Sequence, residues 1–175
     1  MRTAAIIAIA FVLVVLLVWL FVTHRSFVTL RNLVQEGRRR IDLELNARYG
    51  LISDFVEIVA AHSKDTRPLE DVIAARSAAA GPASGMAGRG QREDALSRAI
   101  TRVLTLSQHN GNLSSDESFI AIRNELANIS ARINEASRFY NANARDLNAK
   151  RESFPSSLVA SAFHFDHVEY FQAEP

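Results

Sequence analysis

The side chains best suited to hold a metal or move a proton near neutral pH are five histidines, His24, His62, His109, His164 and His167. Only His164 and His167, with Asp166 and Glu169 beside them, have a conceivable ligand spacing. A lone H-x-x-H in an aromatic tail, without a second ligand pair, points to a surface or packing role rather than zinc. The chain has no cysteine, which excludes disulfides, thiol catalysis, Cys-ligated zinc and iron–sulfur ligation. It carries no H-E-x-x-H, no serine elbow and no glycine-rich loop matching a phosphate-binding pattern. Asp42 and Glu44, two apart, point to different faces of a helix and do not make an acid–base pair. No catalytic, metal-binding or cofactor-binding residue is therefore expected, and no enzymatic activity.

The remaining polar pattern is a row of asparagines. Asn134, Asn141 and Asn148 recur every seven residues, with Asn143 close by and Arg138 and Tyr140 next to them. One reading is a solvated stripe of moderate helix propensity, and this is the preferred one. The other is a hydrogen-bonding face, formed by Asn134, Arg138, Tyr140, Asn141, Asn143 and Asn148, for another protein or a second copy of the chain. Asn112 and Asn128 begin glycosylation sequons, a coincidence if this part of the chain is cytoplasmic.

With 20 basic and 19 acidic side chains the net charge is +1, so charge gives no general reason to bind nucleic acid. The strongest signal lies at the amino terminus. "AAIIAIAFVLVVLLVWLFV", residues 4–22, holds no charge, and as a helix it spans roughly 28 Å, close to a bilayer's hydrocarbon thickness. Ala4, Phe11, Val15, Trp19 and Val22 are the expected membrane-spanning markers. A cleaved signal peptide would have a shorter apolar run and a small-x-small site, whereas this run ends Trp-Leu-Phe-Val-Thr-His-Arg. Arg25, Arg31, Arg38, Arg39 and Arg40 follow the span and only Arg2 precedes it. The positive-inside rule then places the bulk of the chain in the cytoplasm, on a single-pass anchor with its amino terminus outside.

Everything periodic beyond the anchor is helical. Leu30, Val34, Ile41, Leu45, Tyr49, Ile52, Val56 and Val59 predict one helix running from the membrane to about Ser63, with Gly37 as its weak point. A short second helix begins at "DTRPLEDV", where Pro68 suits the first turn. Residues 81–90, "GPASGMAGRG", read as a flexible loop in which Arg89 is solvated. A third helix covers about 91–108, and Ser114 with Glu117 forms an expected capping box for the fourth. On that helix Phe119, Leu126, Ile133, Tyr140, Leu147 and Phe154 make one heptad line. The second line, Ile122, Ile129, Ala136, Asn143 and Lys150, turns polar along its length.

Short connections favour antiparallel neighbours, and hence an up-and-down four-helix bundle. The short second and third helices would cover only the far end of the long ones. Residues such as Arg48, Glu44 and Arg38 to Arg40 would then line a wet two-helix neck near the membrane. Phe154, Phe163, Phe165, Tyr170 and Phe171 are expected to pack on that neck, with contact to lipid headgroups or a membrane partner as the alternative.

The stretches "RRIDLELNARYGLISDFVEIV", "FIAIRNELANISARINEASRFYNANARDLN", "FPSSLVA" and "YFQAEP" resemble the LemA family of bacterial membrane-anchored helical proteins. The resemblance implies an all-α fold with an amino-terminal transmembrane helix and an antiparallel up-and-down four-helix bundle. Its divisions would be an anchor at 1–25, the bundle at 26–155 and an aromatic tail at 156–175. Family members usually have proline where this chain has Ser53, so the first helix should be straighter. They carry an acidic-x-Tyr-Pro-Asp-Leu-like turn where this chain reads "SQHNGNLSS". The family implies no enzymatic activity to transfer. The resulting expectation is a scaffold or interaction protein of the bacterial inner membrane, bound to membrane or cytoplasmic proteins or to copies of itself. Membrane remodelling by self-assembly, as in a magnetosome-like organelle, and regulation of a membrane protease are the alternatives.

Overall fold

The structure is a computed structural model that describes residues 2–63, 65–83, 85–108 and 110–173, the side chains of residues 2 and 4 excepted. Ala4 is therefore placed by its backbone alone, and Ser84, His109, Glu174 and Pro175 lie outside the described residues. The protein is all-α, with no strand among the described residues. The helices are α1 (Arg2–His62), α2 (Arg67–Ala80), α3 (Gly85–Ser107), α4 (Gly111–Ser114), α5 (Glu117–Glu152) and α6 (Ser156–Ala162). A C-terminal segment without regular structure follows α6.

α1 is unbroken over 61 residues, which at ~1.5 Å per residue makes a rod roughly 90 Å long. Its first third is apolar and largely bare: Ile6, Phe11, Val15, Leu17, Phe21 and Val22 are all exposed, and Trp19 and Leu20 are half-buried. It is long and apolar enough to cross a membrane. At Thr23 the helix changes character. Thr23, Phe27, Val34, Ile41, Leu45, Ile52, Phe55 and Val59 are buried, mostly three, four or seven apart, so one stripe faces the body. Phe27 and Phe55, absent from the sequence-based stripe, are both fully buried, while Val56 is only half-buried.

α5 packs along this stripe. Phe55 meets Phe119, Glu44 meets Arg132, Gly37 meets Tyr140, and Ser26 meets Lys150, so residue numbers fall along α1 as they rise along α5. Gly37 is a point of close approach: a Cβ there would stand 2.9 Å from Tyr140 Cα. The residue that costs helix propensity is the one that lets the two rods touch.

α2 and α3 form the second layer, joined to each other by Arg102 to Asp71 and by Arg92, which donates to the Ala78 and Pro82 carbonyls. Arg76 ties α2 to α1 by donating to the Tyr49 carbonyl at 2.7 Å.

Four local expectations need correction. The 81–90 loop is much shorter, because α3 already begins at Gly85 rather than 91, and Arg89 is not solvated but ion-paired with Asp42. Asp116, not Ser114, caps α5 by accepting from the Phe119 N–H at 2.9 Å, while Ser114 ends the short α4, itself capped by Asn110. Phe154 leaves the apolar line: α5 stops at Glu152 and the ring is 83% exposed, beside a cis peptide to Pro155. Arg48 does not line a wet neck but is buried in the core at 4% exposure. α3 explains this last point, since its third turn brings the Glu93 carboxylate to Arg48.

Candidate functional site

The asparagine row on α5 is occupied by the chain's own C-terminal segment. Asn148 Nδ2 donates to the Val168 carbonyl and Asn148 Oδ1 accepts from the Val168 N–H, both at 2.9 Å. Asn141 repeats the arrangement on Phe171, donating at 2.7 Å and accepting at 2.9 Å. Between them the Tyr140 hydroxyl donates to the Glu169 carbonyl at 2.7 Å. Each asparagine amide thus pairs with one residue's backbone donor and acceptor together.

The spacing has a geometric cause. Seven residues of helix advance about 10.5 Å, and three residues of extended chain cover about 10 Å. Asparagines seven apart on α5 therefore match backbone groups three apart on a segment running antiparallel to it. Val168 and Phe171 are that pair.

The segment is pinned on its other side as well. Arg151 Nε donates to the Phe165 carbonyl at 3.1 Å, and the Phe165 ring stacks on Phe27 with centroids 4.8 Å apart. Phe165 and Phe171 are buried at 7% and 1% exposure. At the far edge the Glu169 carboxylate accepts from the Ala87 N–H, one of the unpaired donors in the first turn of α3. A Cβ on Gly90 would collide with the Gln172 backbone carbonyl, and one on Gly85 would collide with the Glu169 carboxylate. Gly90 of "GPASGMAGRG" is thus the position where the strap crosses α3 at backbone contact, and Gly85 the one where the Glu169 side chain reaches it.

Of the expected interaction face, Tyr140, Asn141 and Asn148 are engaged by this strap. Asn143 bonds back to the Phe139 carbonyl, Arg138 is exposed, and Asn134 is half-buried one step beyond the last described bond. The preferred solvated stripe is therefore not what the structure shows at Asn141 and Asn148. Of the tail's aromatics, Phe165 and Phe171 are buried, Phe165 against Phe27 of α1, while Phe163 stays 47% exposed. The arginines following the apolar stretch, Arg25, Arg31, Arg38, Arg39 and Arg40, are all exposed, with Arg40 paired to Glu36 and stacked over Phe139.

A second polar constellation went unnoticed in the sequence. Arg48 and Glu93 form an ion pair with side chains 5% and 0% exposed, and Arg48 Nη2 donates to Ser97 Oγ at 2.9 Å. The Tyr49 hydroxyl donates to the same carboxylate. Burial pushes Glu93 above the usual carboxylate range, outweighing the opposing pull of Tyr49 and Arg48. Burial likewise lowers Arg48, against the attraction of Glu93, and raises the Tyr49 and Tyr140 phenols. Arg48 Nε has no hydrogen-bond partner among the described residues. The sequence clue was weak, because Arg48 and Glu93 are 45 residues apart and a charge at a core position shows no partner until α1 and α3 lie together.

These features define a class: an all-α protein whose first helix is bare and apolar for a third of its length, then enters a helical body closed by a backbone-bonded strap. The LemA family model matches residues 38–175, most of the chain, and the chain belongs to the LemA family. The strap, its asparagines and the buried ion pair lie inside the match, and the apolar stretch lies before it. No curated protein matches the chain.

Proposed function

We propose that this LemA family member is a non-enzymatic scaffold of the bacterial inner membrane, anchored by residues 4–22 and presenting its helical body in the cytoplasm to partner proteins. The observation that carries this reading is the continuity of α1, which joins an exposed apolar stretch to a buried core stripe without a break. A rigid rod of this kind holds a body at fixed distance from a bilayer. Restricting the body to the membrane plane raises its effective concentration for partners there. The arginines after the span, against Arg2 before it, support a cytoplasmic body.

The body is read as an antiparallel up-and-down four-helix bundle of α1, α2, α3 and α5. Opposed numbering along α1 and α5 and along α2 and α3 supports that arrangement. The outward surface available to a partner combines Arg138 on α5 with the exposed Asp166, His167 and Gln172 of the strap. Photo-crosslinking from Arg138 and Gln172 in intact membranes, followed by mass spectrometry, tests the proposal. Recurrent adducts with one protein, or with a second copy of the chain, are expected. Repeated absence of any adduct would overturn it.

A further inference from the structure

The segment linking α5 to the strap carries apolar surface that neither the core nor the strap absorbs. Val159 and Ala160 of α6 are buried, whereas Phe154, Leu158 and Phe163 are 83%, 62% and 47% exposed. These three lie close together in sequence around one short helix, and their height along α1 can be located. The Phe163 ring sits 4.5 Å from the His24 ring, centroid to centroid, and α6 packs against α1. His24 is two residues beyond the end of the apolar stretch.

The register of α1 and α5 gives the same height independently. Lys150 meets Ser26, so α5 ends level with about His24. Trp19 and Leu20, the last apolar turn of α1, are nevertheless half-buried against the body's core. The part of the body beyond the end of α5 is the turn at 153–155 and α6. This segment therefore lies beside the final turn of the apolar stretch.

We propose that α6 and its flanks are a second membrane contact, in which Phe154, Leu158 and Phe163 enter the boundary between lipid headgroups and acyl chains next to the anchor. Exposed apolar rings at that height continue the bare surface of Phe21 and Val22. Amphipathic elements of this kind bury about 5 to 10 Å into the interface. Arg25 is exposed and Lys150 and Arg151 are half-buried just above, where anionic headgroups lie, with Glu152 the opposing charge. The contact fixes the rod's rotation and tilt, because a single helix alone sets neither. The inference rests on the anchor reading, and the test separates the two.

The absence of native cysteine makes site-directed spin labelling direct. Phe154→Cys, Leu158→Cys, Val15→Cys and Ala121→Cys are labelled singly in the full chain, reconstituted in phosphatidylethanolamine–phosphatidylglycerol vesicles. Collision with oxygen and with a soluble nickel chelate is then read at each site. Ala121 is exposed near the opposite end of α5 and reports the aqueous value. Expected are lipid values at Val15 and interfacial values at Phe154 and Leu158, with oxygen collision raised and nickel collision reduced several-fold relative to Ala121. A lipid value at Val15 with aqueous values at Phe154 and Leu158 overturns the second contact and leaves the anchor standing. Labels at both sites shielded from oxygen and nickel alike overturn it in favour of a protein neighbour. An aqueous value at Val15 overturns both readings.

Discussion

Replacing Asn148 by alanine should release the strap without unfolding the body. Asn148 is 4% exposed and makes two hydrogen bonds of 2.9 Å to Val168, so Asn148→Ala removes both and strands a backbone N–H and carbonyl. Each such bond contributes about 1 kcal/mol net, so the pair amounts to about 2 kcal/mol of strap closure before any desolvation penalty. At 1.4 kcal/mol per tenfold, the open fraction rises about thirtyfold. Asn141→Ala removes the equivalent pair from Phe171 and should act similarly. Hydrogen exchange followed by mass spectrometry on the detergent-solubilised chain reads this directly. Peptides covering 165–173 should lose protection by that factor, while peptides from the buried stripe of α1 at 41–59 keep theirs. Unchanged exchange at 165–173, or equal loss throughout α1, would refute the bidentate pairing as the closure.

Three further outcomes follow from the same contacts. Gly90→Ala should weaken strap closure by about 1 to 3 kcal/mol, because its Cβ meets the Gln172 carbonyl. Gly50→Ala, with nothing within 4 Å, should instead raise the Tm through helix propensity; thermal unfolding of the two variants should move in opposite directions. Glu93→Ala leaves Arg48 buried without its charge partner and should cost about 3 to 5 kcal/mol, whereas Arg48→Met with Glu93→Leu should recover most of it, as urea titration would show. Burial raises Glu93 in the folded state, so its contribution to stability is fully present below the unfolded carboxylate pKa and declines as pH rises through the folded value. The stability of the native chain relative to Glu93→Gln should therefore fall as pH increases from about 4, and a flat or rising difference would contradict the burial argument.

The helical class and the α1 rod are legible in the sequence because period and hydropathy act locally. Val34, Ile41, Leu45, Ile52 and Val59 repeat as a helix facing a neighbour must, and all are buried. That the aromatic tail folds back was legible, but its pairing with the asparagines and with α3 was not, for two physical reasons. Asparagine on a helix is chemically ambiguous, equally suited to water and to a backbone, and only the match of seven helical to three extended residues reveals its partner. Glycine is ambiguous too: Gly85 and Gly90 read as a loop, yet they sit in α3, where the crossing Gln172 backbone leaves no room for a side chain at Gly90 and the Glu169 carboxylate crowds Gly85. Glu93 lies 45 residues from Arg48, so a charge that reads as solvated from α1 alone finds its core partner only once α3 packs against it.

Accessibility of single cysteines in oriented membrane vesicles tests the central claim, a membrane-anchored rod carrying a cytoplasmic body, most directly. With Ala121→Cys in the cysteine-free chain, a membrane-impermeant maleimide should label inside-out vesicles and spare sealed right-side-out ones, and the chain should stay in the membrane at alkaline pH. Labelling of right-side-out vesicles, or release of the chain by alkali, would contradict it.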